Sequence, residues 1–357
     1  MTDFDCYGDC CGEPQMCPIA CPKTPGWVEV ARDAGGLEMR AKYQITQRED
    51  DLPAYIPHIY HGSCRSLSLA CDYVALTTFD VTLPRGKRRF RSPTDLRQYF
   101  RIAKDAKILL LSVGKDNRLE LHWRHSRTQE LANYLAGLGV SHITAPNFSY
   151  AVNDPRAEHL ANRSRSLTEA ERFAAAGLSV IPHVNAFTQK DWDCWRDFFR
   201  NHPHLRMVCQ EFQTGLANHD RAAWHIQQLL DIEDAIGRGL RLIAVGGRQH
   251  LPMLVRLSAV TVTDANPFVK TQRRQKLVNG VWVKRATGKG ELLDGLMSEN
   301  LAAYRQGIEV RFATARCAPP DPGTATHFLI ARPTAGGTVP SAQLFLWPTY
   351  RTESIMA

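Results

Sequence analysis

The chain has 357 residues, 44% of them hydrophobic, and carries 44 Lys and Arg against 36 Asp and Glu, a formal net charge of +8. That length supplies the core of one large α/β domain or two smaller ones, and no apolar run approaches the ~20 residues that cross a bilayer. The opening Met-Thr-Asp-Phe-Asp lacks the basic-then-apolar layout of a signal peptide, so the expected location is cytoplasmic with no membrane partner.

Taken in chain order, the first feature is a cluster of thiols at Cys6, Cys10, Cys11, Cys17 and Cys21, interleaved with turn-forming Gly and Pro. Several sulfurs can then converge on one point, which suits tetrahedral zinc and equally an iron–sulfur cluster. Residues 1–60 are therefore expected to form a Cys-rich accessory module; the alternative is a poorly ordered tail with reactive thiols. Cys64, Cys71, Cys194, Cys209 and Cys317 are isolated and read as small buried hydrophobes. The segment 84–91 is a basic loop with one aromatic, in which Arg85, Lys87, Arg88, Arg89 and Arg91 are candidate phosphate contacts.

From residue 106 onward, short apolar runs alternate with segments of helical period. Strands are predicted at 107–113, 141–145, 178–185, 205–212, 240–245 and 259–264, and helices at 127–137, 167–176, 190–201, 221–236 and 251–257. Ser166 with Glu169 reads as a capping box, Thr188 and Asp220 as N-caps, and Gly177 and Gly239 as helix stops. Repeated strand–helix units imply parallel pairing, hence a doubly wound sheet or a (β/α) barrel of TIM type, complete or incomplete. The barrel is favoured because polar residues follow nearly every strand. It is expected over 61–310, with 73–81 and a strand in 326–331 or 342–347 completing it, and 311–357 as a C-terminal extension. Asn279-Gly280 between apolar triplets predicts a hairpin over 276–285.

The strand ends collect Gly114, Lys115 and Asp116, then Asn147 and Tyr150, His183 and Asn185, Glu211 and Gln213, Gly246 through His250, and Asp264 with Asn266. Amide side chains offer paired donors and acceptors, and Gly246-Gly247 lets a planar ring approach the backbone, a combination suited to the edge of a nucleobase. Ile-Ala-Val-Gly-Gly at 243–247 and Glu-Phe-Gln-Thr-Gly at 211–215 resemble the base-holding strand ends of tRNA-guanine transglycosylases and their DNA-modifying relatives, the likeness covering about 205–285.

That resemblance implies base exchange on a nucleic acid through an aspartyl–glycosyl intermediate. Asp264 would be the nucleophile, Gln213, Gly246, Gly247, Asn147 and Glu211 the base-binding groups, and Asp116 the candidate second carboxylate. Lys270, Arg273 and Arg274 join the 85–91 loop as phosphate contacts. The stretch 147–182 also resembles uncharacterised phage and plasmid proteins, which supports the alternative of a non-catalytic DNA-binding protein with a metal-stabilised N-terminal module. A third reading is a metal-dependent hydrolase or iron–sulfur enzyme whose cysteines reach the mouth.

Blander readings stand beside these: Asp264 as a cap for the following turn, the glycine pair as a tight packing corner, His183 as a satisfied strand-end histidine, Trp192, Trp195, Phe198 and Phe199 as helix packing. Arg156, Arg163 and Arg165 fit either a solvated face or phosphate contacts. The sequence leaves the oligomeric state open, a homodimer included.

Overall fold

The structure is a computed structural model and describes residues 33–83, 86–126, 129–150, 154, 156–285, 288 and 290–317. Arg85, the five N-terminal cysteines, the side chain of Cys317 and the closing segments 326–331 and 342–347 lie outside the described residues.

The chain is α/β with parallel sheets. One sheet orders β1 (Tyr55–Pro57), β8 (Ala259–Asp264), β7 (Arg241–Val245) and β6 (Met207–Glu211); the other orders β2 (Tyr73–Thr77), β3 (Lys107–Leu111), β4 (His142–Thr144) and β5 (Val180–Ile181). All neighbours within them pair in parallel. The sheets touch at both ends: His58 bridges to Ala75 and His183 to Cys209. At the second seam Val184 N donates to Cys209 O at 2.9 Å and Cys209 N to Pro182 O at 2.8 Å. β5 is shorter than predicted because Pro182 follows it and has no N–H to continue the ladder.

The strands read as continuous apolar runs because both faces are covered. Leu109, Leu111, Ile181, Cys209, Ile243 and Val245 form one buried cluster. The residues between them, Leu110, Val180, Val208, Leu242 and Ala244, join the larger cluster shared with the helices.

The helices are α1 (Thr78–Val81), α2 (Pro93–Phe100), α3 (Asp116–His125), α4 (Gln129–Gly137), α5 (Arg156–Ala175), α6 (Gln189–Asn201), α7 (His219–Ile236), α8 (Leu251–Leu254), α9 (Asn266–Gln272) and α10 (Asp294–Cys317). Thr188 caps α6 in a capping box with Asp191. Elsewhere the expected boundaries move. α5 begins eleven residues early, so Ser166 and Glu169 sit inside it, both buried, rather than at its start. Asn218, not Asp220, caps α7, and Gly237, not Gly239, ends it in the left-handed region at φ 64°. No helix among the described residues is long and apolar enough to cross a membrane.

The stretch 33–60, expected with the accessory module, instead supplies β1 and a strap across the amino ends of the strands. Gln47 spans the β5/β6 seam: its amide nitrogen donates to Val180 O at 3.1 Å and Met207 O at 3.0 Å, while its oxygen accepts from Arg206 N at 2.6 Å and Met207 N at 2.7 Å. Asp50 accepts from Tyr73 Oη at 3.1 Å and His142 Nε2 at 2.9 Å, and pairs with Lys107 Nζ at 3.1 Å. One carboxylate thereby ties β2, β3 and β4. Arg241 on β7 donates to Leu52 O at 2.9 Å.

A second buried carboxylate joins α5 to α6. Asp191 is fully buried; it receives both terminal nitrogens of Arg156 at 2.8 and 2.5 Å, Arg163 Nη1 at 3.1 Å and the backbone N–H of Phe187 at 2.9 Å. Arg165 lies at 4.4 Å over the Phe148 ring and pairs with Glu120 at 2.9 Å. These arginines are therefore neither a solvated face nor phosphate contacts.

Burial alone would raise the Asp191 carboxyl, but Arg156 and Arg163 hold it below the ordinary value. A depressed folded value means stability that is present above the unfolded pKa of about 3.9 and lost as pH falls through the folded one. Asp191→Asn leaves two buried guanidinium groups without their counter-charge and is expected to cost about 3–5 kcal/mol in urea unfolding at pH 7. The gap between variant and parent is expected to narrow in the same titration below about pH 4.

Candidate functional site

Because all eight sheet strands are parallel partners, their carboxyl ends deliver His58, Asn147, His183, Asn185, Glu211, Gln213, Gly246 and Asp264 to one end of the sheets. His183 takes the same face as Ile181, beside Cys209, and is 1% exposed. Both of its ring nitrogens lack a partner among the described residues, and burial pushes its pKa down to about 3. It is a neutral imidazole, not the satisfied strand-end histidine of the blander reading. His58 is buried likewise and lowered to about 4.

The loops after β4, β5 and β6 and the first turns of α7 enclose a cavity of about 260 Å³. Asn147 and Asn185 form one wall, where the Asn185 amide nitrogen donates to Asn147 Oδ1 and to Phe148 O, both at 2.7 Å. Tyr150 and Phe187 supply aromatic surface; Tyr150 stacks on His159 at 4.7 Å with an interplanar angle of 2°, and His159 lies 4.9 Å from Phe187. The opposite wall is α7, with Arg221, Trp224 and His225.

The floor comes from β6. Gln210 alternates with Cys209 and so faces the helices, where its amide nitrogen meets His225 Nδ1 at 2.9 Å. Gln210 Oε1 is buried with no partner among the described residues, as is the Tyr150 hydroxyl. Glu211 follows. Burial raises its pKa above the ordinary carboxyl value even though it accepts from Thr214 Oγ1 at 3.0 Å and from the N–H groups of Gln213 at 2.6 Å and Thr214 at 3.0 Å.

The residues expected from the sequence fall in different places. Asn147 and Glu211 line the cavity. Gly246 and Asp264 do meet on adjacent strands, with Gly246 N donating to Thr263 O at 2.8 Å. The glycines are packed, not open: at φ 76° and 80°, a Cβ on Gly246 would lie 2.6 Å from Gln213 Cγ, and one on Gly247 would lie 3.2 Å from Phe212 Cβ. Gln213 is itself an exposed residue resting against Gly246.

Asp264 continues the helix-facing alternation of Val260 and Val262. Its Oδ2 accepts from Tyr304 Oη of α10 at 2.5 Å and its Oδ1 from Asn266 N at 2.8 Å. Arg248 covers the Tyr304 ring at 4.8 Å. Asp116 is exposed in the first turn of α3 and accepts from Ser149 Oγ at 2.5 Å. Neither aspartate lines the cavity.

Lys87, Arg88 and Arg91 are exposed, whereas Arg89 is half-buried, donating to Asp80 O at 2.8 Å and to Tyr99 Oη at 2.7 Å. Lys270 lies on α9, and Arg273 and Arg274 follow it. Among the described residues no group of three or more His, Cys, Asp or Glu could hold a metal ion. Sequence reasoning missed Gln210, Arg221, Trp224 and His225. Gln210 carried a signal, being a polar residue inside the apolar strand Met207–Glu211.

Gly246→Ala is expected to cost about 1–2 kcal/mol, from the left-handed backbone and the Gln213 clash together, and to appear as a lowered unfolding midpoint in denaturant. Compared with family models and with curated proteins, the chain matches none.

Proposed function

We propose that the two parallel sheets close on each other as an eight-stranded (β/α) barrel and that the cavity at its carboxyl mouth takes a nucleobase of a nucleic acid. The protein then acts at the base or its N-glycosidic bond. The observation that carries this reading is the lining of the cavity, where the side-chain amides of Asn147, Asn185 and Gln210 stand beside the rings of Tyr150, Phe187 and Trp224. Side-chain amides pair with the donors and acceptors of a ring edge. Base edges present such donors beside a planar face that stacks on aromatic rings. A cavity volume of about 260 Å³ accommodates a single base.

The base recognition implied by the transglycosylase resemblance is kept, but the working carboxyl moves. Asp264 is occupied by Tyr304 and the Asn266 N–H on the helix side. Glu211 is the carboxyl in the cavity, and its raised pKa suits a general acid. As the C1′–N bond breaks, the electron pair goes to the base nitrogen, which takes the Glu211 proton. Water or an incoming base adds at C1′ and returns a proton to the Glu211 carboxylate. Asn147, Asn185 and Gln210 hold the base edge.

The test is release of free base from DNA or RNA, followed by mass spectrometry. Glu211→Gln is expected to lower the rate about 10²–10⁴-fold with nucleic-acid binding retained. Asp264→Asn is expected to keep turnover within a few-fold while lowering stability by about 1 kcal/mol. Loss of turnover in the Asp264 variant alone would return the role to that residue. A protein that binds but releases no base would fit the scaffold reading, in which the barrel carries no chemistry.

A further inference from the structure

Residues 265–285 carry Lys270, Arg273, Arg274, Lys276, Lys284 and Arg285 and not one Asp or Glu. The later part folds as an antiparallel hairpin, β9 (Gln275–Val278) and β10 (Val281–Lys284), forming a two-stranded sheet of its own. Asn279 and Gly280 make the turn at φ 48° and 81°, as a tight hairpin requires.

The two faces of this ribbon differ. Leu277 opposes Trp282 on the packed face, where Leu277 is buried and its N–H donates to Asn300 of α10 at 2.8 Å. The other face pairs Val278 with Val281 and Lys276 with Val283. Its three valines are 40%, 63% and 42% exposed. The acidic groups nearby are few: Glu299 pairs with Lys276 at 2.9 Å and Glu291 with Arg285 at 3.5 Å. Asn300 satisfies the β9 edge, while β10 pairs with no further strand among the described residues; an apolar outward face beside such an edge is a surface that proteins ordinarily protect. The surrounding cations select a polyanion to cover it.

We propose that the β9–β10 hairpin inserts in the major groove of double-stranded DNA, with its valine face toward the base edges and Lys284 and Arg285 reaching the phosphates around the β10 edge. This rests on the nucleic-acid reading above and adds which nucleic acid is held, and by what. The B-form major groove, about 12 Å wide, admits a two-stranded ribbon, whereas the deep, narrow major groove of A-form RNA does not. Surfaces that hold single strands present exposed aromatic platforms. Here the hairpin's one aromatic, Trp282, shares the packed face with Leu277, and the outward valines match thymine methyl groups.

The test uses the full-length protein and fluorescence anisotropy over a salt series with three labelled probes: a DNA duplex, its single strand and an RNA duplex. Tightest binding is expected for the DNA duplex. Val281→Asp combined with Lys284→Glu is expected to weaken it at least tenfold and to reduce the log–log salt slope by about 1. Both positions are exposed, and circular dichroism with thermal melting verifies that the variant is folded. Lys104→Glu, an exposed cation just before β3, is expected to bind like the parent. Parent-like duplex binding by the hairpin variant, or a preference for the single strand or the RNA duplex, overturns the ribbon and leaves the nucleic-acid reading standing. Absence of binding to all three probes overturns both.

Discussion

Two parallel sheets of four strands can direct all their carboxyl ends to one place only if their seams are held in register, and the seams here are thin. At β5/β6 the ladder is a single bridge because Pro182 interrupts it. What compensates lies at the opposite end of the strands. One primary amide, Gln47, uses both donor and acceptor sides on the first residues of β5 and β6. A primary amide is the side chain that can do this, since a carboxylate would have no donors and a lysine no acceptors. Asp50 does the equivalent for β2, β3 and β4 through a tyrosine hydroxyl, an ammonium and an imidazole. His142 completes that network as a neutral ring: burial lowers its pKa, Nε2–H donates to Asp50, and Nδ1 accepts from Ser179 Oγ at 2.8 Å.

With the strand starts fixed, the cavity depends on a second set of buried charges. Phe187 donates its N–H to Asp191, and Asp191 is clamped by Arg156 and Arg163 of α5. The same helix presents His159, on which Tyr150 stacks and against which Phe187 packs at a tilt. Removing water from three ionised groups is costly, and the two-pronged Arg156–Asp191 pair offsets part of that cost. Its product is a rigid aromatic wall facing Trp224 and Arg221 of α7. Preorganised surfaces of this kind lower the entropic cost of holding a planar ligand.

The strands were legible because parallel strands buried on both faces read as unbroken apolar runs, which is how Leu109 to Leu111 and Leu242 to Val245 declared themselves. β1 was not legible: three residues between Pro53 and a terminal Pro57 carry no periodicity, and their strand character comes wholly from pairing with β8. α5 was half hidden for a different reason. Arg156, Arg163 and Arg165 read as a solvated face or as phosphate contacts, yet each is buried, because their partners Asp191 and Glu120 are distant in sequence. The candidate site divided along the same line. Asn147 follows β4 and Glu211 ends β6, and both reach the cavity. Asp264 also sits at the expected strand end, but alternation turns it to the helix side, where Tyr304, forty residues later, accounts for its carboxylate.

That pairing gives α10 a role larger than covering the sheet. Tyr304 holds Asp264 at the end of β8, and Asn300, one turn earlier on the same helix face, is buried with its side chain spent on Leu277 N, Thr271 Oγ1 and Gln275 O, each at 2.8 Å. Burial pushes the Tyr304 hydroxyl well above its ordinary pKa, with Asp264 adding to the shift, so it stays protonated and keeps donating. Asn300 likewise has its amide nitrogen and oxygen both committed, which resists rotation of the hairpin about its stem. The ribbon and the strand end are therefore referenced to one rigid helix. A duplex seated on the hairpin would be placed at a fixed distance from the mouth, so an Asn300 substitution would disturb that placement without touching any group in the cavity.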